Sequence, residues 1–333
     1  MRFHAIFPSI KFATPLERRI KAYANYWFGL SASPTELNSR VVPDRDRYGI
    51  AVVAIVKNEE NYIEEWLAFH SHAGVRSFII YDNGCSDSTI ARISSDKWRN
   101  KVRVVPWVNF GKHIRIQNAA YNHAIANFGR QYRWMTFIDV DEFLVPKDCS
   151  NLNDIMADYA DLPGLSLPWQ MFGPNGHETR PAGLVIENYT SRALWAADDQ
   201  APIHINYKSI VDPAQVRCAH THYCEFWDRP KIMFNDAKRQ FMHIDRFNSQ
   251  NATSERIQLN HYFTRSLEEF QRKLDKGRVS KEGRLNNQGT INLKAQILRA
   301  PVVADDIAAR FAPAIKAILQ DARTETLKVA DPV

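Results

Sequence analysis

Short apolar runs alternate with amphipathic segments from Tyr48 to the middle of the chain. Residues 50–56 form a near-continuous apolar run rich in β-branched side chains, which is typical of a buried parallel strand. The same reasoning predicts strands at residues 77–81, 102–107 and 134–138. Each of these runs is followed by a segment with helical spacing or turn residues, so strands and helices are expected to alternate.

Helical periodicity fills the intervals between the predicted strands. In the first interval Ile63, Trp66 and Leu67 share a face with His70, Asn61 and Glu64 resemble a cap, and Gly74 supplies a stop. Residues 86–88 can cap a second helix, and residues 114–128 form a third that Gly129 ends. Further along the chain, Ser266 and Glu269 form a capping box that predicts the start of another helix. This order predicts an α/β fold in which a doubly wound, mainly parallel sheet carries helices on both faces.

A dense group of carboxylates follows the strand predicted at residues 134–138. Asp139, Asp141 and Glu142 lie within four positions, and the first two form a DxD motif. Three carboxylates this close repel one another, so a bound cation is the simplest way to hold them together in a folded site. Oxygen ligands of this kind suit Mg²⁺ or Mn²⁺. A solvated acidic turn after a core strand is the alternative.

Polar residues also follow the first two predicted strands. Lys57, Asn58 and Glu59 come after the first, and Asp82 and Asn83 after the second. In parallel sheets with helices on both faces, ligands bind outside the carboxyl ends of the strands. Together with the DxD motif, these residues predict one crevice that suits a nucleotide diphosphate. For Asp82 alone, a turn residue bonded to its own backbone is an equal alternative.

Composition and charge narrow the functional classes. The chain has 333 residues, 45% of them hydrophobic, which is enough for one large domain or two modest ones. Its net charge of +6 is dispersed, so nucleic acid is not an expected partner. The four cysteines lack CxxC spacing and favour reduced thiols in a cytoplasmic protein.

The amino-terminal extension, residues 1–47, carries one amphipathic segment. Residues 15–30 place apolar side chains at helical spacing, with Arg18, Arg19 and Lys21 between them. Such a helix either packs on its own domain or lies on a membrane surface. No apolar run approaches the roughly 18 residues that a transmembrane helix needs. We therefore expect a cytoplasmic protein, with peripheral association at the inner membrane face as the second location.

An ordered set of motifs resembles the GT-A glycosyltransferases, particularly family 92 and the related family 2-like branch. The matching segments are residues 53–59, 81–87, 137–143, 169–177, 208–211, 260–263 and 266–270. The resemblance covers residues 48–278 and leaves a C-terminal helical tail, residues 279–333, outside it. It implies a metal-dependent enzyme that moves a sugar, with galactose favoured, from a UDP-sugar donor to a glycan or glycolipid acceptor with inversion.

The resemblance also assigns roles to individual residues. Asp139, Asp141 and His222 would bind Mn²⁺ or Mg²⁺, with His220 as the alternative histidine. Lys57, Asn58, Glu59, Asp82 and Asn83 would grip the nucleotide, Asp82 facing the base, while further donor contacts would come from Asp139, Trp169, Gly173, His177 and His261.

The sequence allows several candidates for the general base and more than one functional class for the protein. Glu178 is our choice for the carboxylate that deprotonates the acceptor, and Glu225, Asp228 and Asp245 remain candidates. A sugar-phosphate nucleotidyltransferase would also use paired aspartates, but it usually has a glycine-rich loop after the first strand, where this chain has residues 57–61. A non-catalytic module that binds nucleotide sugars or glycans is the other alternative.

Overall fold

The computed structural model describes residues 37, 39–107, 115–148, 151–194, 206–276 and 288–328, with backbone alone at residues 247, 276 and 322–328. The amphipathic helix predicted for residues 15–30 lies outside the described residues.

The described strands and helices follow one another in the order that the sequence pattern predicts for the first half of the chain. The strands are β1 (Ile50–Val56), β2 (Val75–Asp82), β3 (Val102–Pro106), β4 (Trp134–Phe137), β5 (Glu142–Pro146), β6 (Gly164–Met171), β7 (Ser191–Ala193), β8 (Tyr207–Val211), β9 (Val216–Ala219), β10 (Cys224–Phe226), β11 (Ile232–Phe234), β12 (Gln240–Met242), β13 (Ile257–His261) and β14 (Val302–Ala304). The helices are α1 (Ile63–His72), α2 (Thr89–Ile93), α3 (Ile116–Phe128), α4 (Leu152–Ala157), α5 (Val185–Asn188), α6 (Leu267–Lys276), α7 (Gln288–Arg299) and α8 (Ala312–Lys328).

One eight-stranded sheet organises the protein, with the strand order β3-β2-β1-β4-β8-β6-β13-β5. Neighbours run parallel except at β8, which is antiparallel to β4 and β6, and at β5, which is antiparallel to β13. The predicted mainly parallel sheet is therefore confirmed. The carboxyl ends of the parallel strands meet at one edge, which we call the carboxyl edge, and the two antiparallel strands begin there.

Both faces of the sheet are covered by helices, as predicted. Alternate residues of β1 point to opposite sides. Val52 belongs to a core with Trp66 of α1, whereas Val53 belongs to a second core with Tyr121 of α3. All four side chains are buried. This two-sided burial explains why the sequence of β1 is apolar throughout instead of alternating.

Two predicted helix caps have different outcomes. At α6, Ser266 and Glu269 form the expected capping box: the Ser266 hydroxyl donates to the Glu269 carboxylate over 2.7 Å and accepts from the Glu269 N–H over 3.3 Å. The cap predicted at α1 was wrong, because the N-cap residue is Tyr62, which makes no side-chain cap bond. The Glu59 carbonyl accepts the N–H groups of Tyr62 and Ile63 instead, both over 3.0 Å.

The C-terminal residues also pack on the sheet. Ile297 of α7 and Ile315 of α8 are buried in the core that includes α1. Among the helices described here, none is long and apolar enough to cross a membrane.

Candidate functional site

The first aspartate of the DxD motif lies at the carboxyl edge, two residues after β4 ends. Asp139 is 35% exposed, and its two oxygens have different partners. Oδ1 accepts a hydrogen bond from the Gln117 amide over 2.9 Å, and Oδ2 accepts one from the Lys208 ammonium over 2.9 Å. Because Gln117 comes from α3 and Lys208 from β8, the position of Asp139 depends on elements on either side of it in the chain.

Lys208 is the buried cation of the site. Its side chain is 1% exposed, and its ammonium also lies 3.4 Å from Oε2 of Glu142. Burial alone would lower the pKa of Lys208, but Asp139 and Glu142 raise it well above its usual value. Burial raises the pKa of Glu142 well above its usual value, even though Lys208 opposes this.

The second aspartate has its own cation. Oδ2 of Asp141 accepts a hydrogen bond from the Lys273 ammonium of α6 over 2.9 Å, and Oδ1 lies 3.5 Å from Nε2 of His261. Burial would raise the pKa of Asp141, but Lys273 and His261 together hold it well below its usual range. Asp141 is therefore ionised at any physiological pH.

Two imidazoles flank one indole beside these aspartates. The ring of Trp169 lies 4.3 Å from His261 and 5.1 Å from His222, measured between centroids. Burial, assisted by Lys208, lowers the pKa of His222 to about 4. Burial also lowers the pKa of His261, against the pull of Asp141. Both rings are neutral near pH 7, which is the form that ligates metals.

The two histidines considered as metal ligands lie in different surroundings. His222 packs edge-on against Trp169, and the charges of Lys208 and Asp139 act on its pKa in opposite directions. His220 instead stacks on Tyr223 at 4.3 Å, and its Nε2 lies 3.4 Å from Oε1 of Glu225.

The donor atoms at the carboxyl edge fit a divalent cation in kind. Carboxylates and neutral imidazole suit Mn²⁺, and Asp139, Asp141 and His222 would hold it. Nδ1 of the buried His261 has no hydrogen-bond partner among the described residues. Among all the residues that the structure describes, no three His, Cys, Asp or Glu side chains lie close enough together to hold a metal in their present positions. The Lys273 ammonium is bonded to Oδ2 of Asp141 over 2.9 Å.

The loops after β1 and β2 are tied to each other. Oδ1 of Asn58 accepts the Ser86 N–H over 2.8 Å, and the Asn58 amide donates to the Ser86 hydroxyl over 3.2 Å. Asn58 has a φ of 59°, a left-handed conformation that asparagine tolerates better than most residues. The Glu59 N–H donates to the Thr89 hydroxyl over 2.8 Å. Lys57, the first residue after β1, is exposed.

Asp82 makes the hydrogen bonds of a turn residue, which is one of the two roles expected for it. Its Oδ1 accepts the N–H groups of Gly84 and Cys85 over 3.0 and 2.8 Å. The neighbouring Asn83 donates its backbone N–H to the Val56 carbonyl over 2.9 Å, which joins the ends of β1 and β2.

The segment from Gly173 to Glu178 contacts β7, α5 and the start of α6. The Gly173 N–H donates to the Ser191 carbonyl of β7 over 3.1 Å, and a side chain at Gly173 would face Ile297 of α7. Nε2 of His177 lies 3.2 Å from the Asn188 carbonyl. Glu178 is exposed, and its carbonyl accepts the Glu268 N–H at the start of α6 over 2.9 Å.

Four polar residues of the site had no assigned role in the sequence analysis: Gln117, Lys208, Arg265 and Lys273. Lys208 carried a signal, because a lysine inside a fully buried strand needs an anion. Arg265 has a φ of 49°, its guanidinium lies 3.5 Å from the Tyr62 ring centroid, and its charge acts on Asp141. Gln117 and Lys273 are polar, partly exposed positions on helices, and the sequence around them shows no motif.

Comparison with known proteins agrees with the motifs. The family model "Glycosyltransferase family 92" matches residues 49–299. A family 92 protein of Oryza sativa subsp. japonica is 28% identical over 175 residues, which is 51% of this chain and 28% of the relative. One from Ricinus communis is 29% identical over 171 residues, 49% of this chain and 28% of the relative. The chain thus spans less than a third of the length of these relatives.

Solved structures with lower similarity include the S. aureus protein TarS. Residues 1–349 of TarS match with a TM-score of 0.35 and 15% identity, over 75% of this chain and 70% of that one. TarS in complex with UDP-GlcNAc matches with a TM-score of 0.32 and 20% identity, over 50% and 46% of the two chains. Because the family model covers most of the sequence, the chain belongs to glycosyltransferase family 92.

Proposed function

We propose that this protein is a metal-dependent glycosyltransferase that moves a sugar from a UDP-sugar donor to a hydroxyl of a glycan or glycolipid, with inversion. The observation that carries the proposal is the pair of aspartates at the carboxyl edge, each bonded to a lysine ammonium over 2.9 Å, with the imidazoles of His261 and His222 packed on Trp169. Family membership supports the reaction class. Galactose is the donor sugar that we would test first.

The charges around the aspartates support a diphosphate leaving group. Bound by Asp139, Asp141 and His222, Mn²⁺ or Mg²⁺ would offset the negative charge that develops on the departing diphosphate. Lys208 holds Asp139 in place, since its buried ammonium has no other charge partner than Asp139 and Glu142 among the described residues. Arg265 adds a second fixed positive charge near Asp141. These groups stabilise anionic oxygens without needing to move.

The linked loops after β1 and β2 form the proposed nucleotide site. Asn58 and Ser86 hold these loops together, and one oxygen of Asp82 is used by its own turn. The second oxygen of Asp82 is our candidate acceptor for the N3–H of uracil. Lys57, Glu59 and Asn83 complete this side of the crevice, and Trp169, Gly173, His177 and His261 remain our candidates on the sugar side.

Glu178 is the carboxylate that we propose as general base. Its side chain is exposed, and its loop is bonded to the start of α6, the helix that sends Lys273 to Asp141. Glu225 is the alternative, although it already accepts a contact from His220. A base must reach the acceptor hydroxyl, so a free carboxylate has the advantage.

Release of free nucleotide from a panel of sugar nucleotides in Mn²⁺ tests the proposed function. We expect UDP-sugars to be turned over, with excess chelator abolishing the signal, and Asp141→Asn to lower kcat by about 100-fold or more, since ligand loss removes charge stabilisation made in the transition state. Asp161→Asn is the matched control, because Asp161 is exposed and pairs only with Lys238 at 3.6 Å among the described residues.

The same assay separates the alternatives. Full activity in chelator would contradict the metal requirement, and nucleotide binding without turnover would favour the binding module. Consumption of a nucleoside triphosphate with a sugar phosphate would indicate a nucleotidyltransferase. Glu178→Gln should lower transfer without weakening UDP binding; if Glu225→Gln does so instead, the base is Glu225.

A further inference from the structure

The two lysines at the DxD motif differ in how firmly they are held. Lys208 is 1% exposed and lies between two carboxyl groups, so its ammonium cannot leave without exposing buried charge. Lys273 is 38% exposed, and its ammonium meets one carboxylate oxygen at 2.9 Å and the Phe263 carbonyl at 3.3 Å. Its ammonium also lies over the Phe263 ring, 4.3 Å from the centroid. The second ammonium can therefore swing into solvent by side-chain rotation alone.

Asp141 has an oxygen for each of two partners, and both are taken. Oδ1 faces His261, and Oδ2 is bonded to Lys273. A cation that used Oδ2 would meet the ammonium at hydrogen-bond distance from the same atom. Two positive charges that share one oxygen repel strongly in a site of low exposure.

We propose that Lys273 is a tethered cation that occupies Asp141 in the donor-free protein and must be displaced when a divalent metal binds there. This inference rests on the proposed function, because it takes the DxD motif as the metal site. Displacement leaves the ammonium on α6 at the rim of the same crevice, within side-chain reach of the diphosphate that accompanies the metal. Lys273 is thus a positioning residue that lowers metal affinity in the absence of donor and supplies positive charge in its presence.

Mn²⁺ titration of the full chain without donor tests this role. Isothermal calorimetry gives the dissociation constant, and the paramagnetic resonance signal of free Mn²⁺ checks it independently of heat effects. Lys273→Met removes the charge and keeps an unbranched side chain of similar length. We expect it to bind Mn²⁺ about 5-fold more tightly or better, the amount set by loss of one partly exposed ion pair that competes with the metal.

Matched variants separate this effect from general changes of charge. Lys294→Met removes a lysine that lies 4.4 Å from the Phe270 ring and has no carboxylate partner among the described residues, so its Mn²⁺ affinity should equal that of the parent. Lys273→Arg keeps the charge and should not tighten binding. With UDP present, Lys273→Met should lose part of its advantage, because the diphosphate then lacks the ammonium.

The outcomes distinguish this inference from the function on which it rests. Equal Mn²⁺ affinity in the parent and in Lys273→Met overturns the tethered cation and leaves the metal site standing. Absence of Mn²⁺ binding in both proteins overturns the inference together with the metal site. Tighter binding in Lys294→Met to the same degree would assign the effect to net charge and also overturn it.

Discussion

The two sides of the carboxyl edge are held by contacts of different range along the chain. After β1 and β2, the loops are joined by residues 28 positions apart, as in the bond between Asn58 and Ser86. At the DxD motif, Asp139 is held by Lys208, 69 positions away, and Asp141 by Lys273, 132 positions away. The first side forms within one strand-helix-strand unit, and the second exists only once the whole sheet is assembled.

This difference shows which contacts cost the most free energy when one partner is lost. The loop side uses backbone groups, amides, hydroxyls and the partly exposed carboxylate of Asp82, in hydrogen bonds worth about 1 kcal/mol each that water can replace. The DxD side removes charges from water and depends on their pairing, so loss of one partner is costly.

Lys208→Met is expected to have the largest effect on stability. It leaves the charge of Asp139 without its buried partner, and we expect the free energy of unfolding to fall by about 3 kcal/mol, measured by urea denaturation. Lys238→Met is the control, because the exposed pair of Lys238 with Asp161 at 3.6 Å is worth at most about 1 kcal/mol. Equal losses in the two variants would contradict the contrast between the two sides.

The same contrast explains how much the sequence could predict. The parallel strands, the helices on both faces and the capping box at α6 follow from local patterns of apolar spacing and cap residues, and these are confirmed. The pattern also brought Asp139 and Asp141 to the carboxyl edge. What it could not predict are the partners of these aspartates, because nothing near Lys273 or Gln117 in the chain distinguishes them from ordinary helical surface residues.

The wrong cap at α1 has a related cause. Asn61 and Glu64 have the right residue types at the right spacing, but Glu64 pairs with Arg92 of α2 at 2.6 Å. Tertiary contacts thus took the side chain that the local pattern assigned to the helix start. Asp82 shows the opposite case, in which the local turn interpretation survives folding.

Glu65 also makes long-range contacts, and its pKa predicts a pH-dependent effect on stability of intermediate size. Its buried carboxyl accepts the N–H groups of Val185 and Ile186, over 2.9 and 3.2 Å, from a segment 120 positions away. Burial raises the pKa of Glu65 from 4.5 to about 7. The folded state therefore keeps a proton that the unfolded chain releases above pH 4.5, so this contribution to stability is full below that pH and is lost as pH rises through 7.

Glu65→Gln should flatten that part of the stability profile. Between these two pH values the parent should lose up to about 1.4 kcal/mol per pH unit relative to the variant, the limit for one proton. Urea denaturation of both proteins at several pH values measures the difference in slope, whatever the absolute cost of the substitution. Parallel profiles would mean that Glu65 is ionised in the folded protein across the window.

Asp82 gives the smallest expected effect and the sharpest test of the loop side. Asp82→Ala removes the acceptor for the Gly84 and Cys85 N–H groups, which should cost about 1 kcal/mol of stability because water can replace it at this half-exposed turn. Asp82→Asn keeps an acceptor oxygen for the turn and replaces the second oxygen by an amide. The stability of Asp82→Asn should therefore stay close to that of the parent.

Thermal-shift titration with UDP, GDP, ADP and CMP in Mn²⁺ then separates the turn role of Asp82 from its nucleotide role. If the second oxygen accepts the N3–H of uracil, both variants lose UDP affinity by about 10-fold while kcat at saturating donor changes less, since a contact far from the reacting carbon contributes nearly uniform binding. If Asp82 serves the turn alone, Asp82→Asn binds UDP as the parent does, and the nucleotide base must be recognised elsewhere. Stabilisation by GDP above that by UDP would overturn the uridine assignment itself.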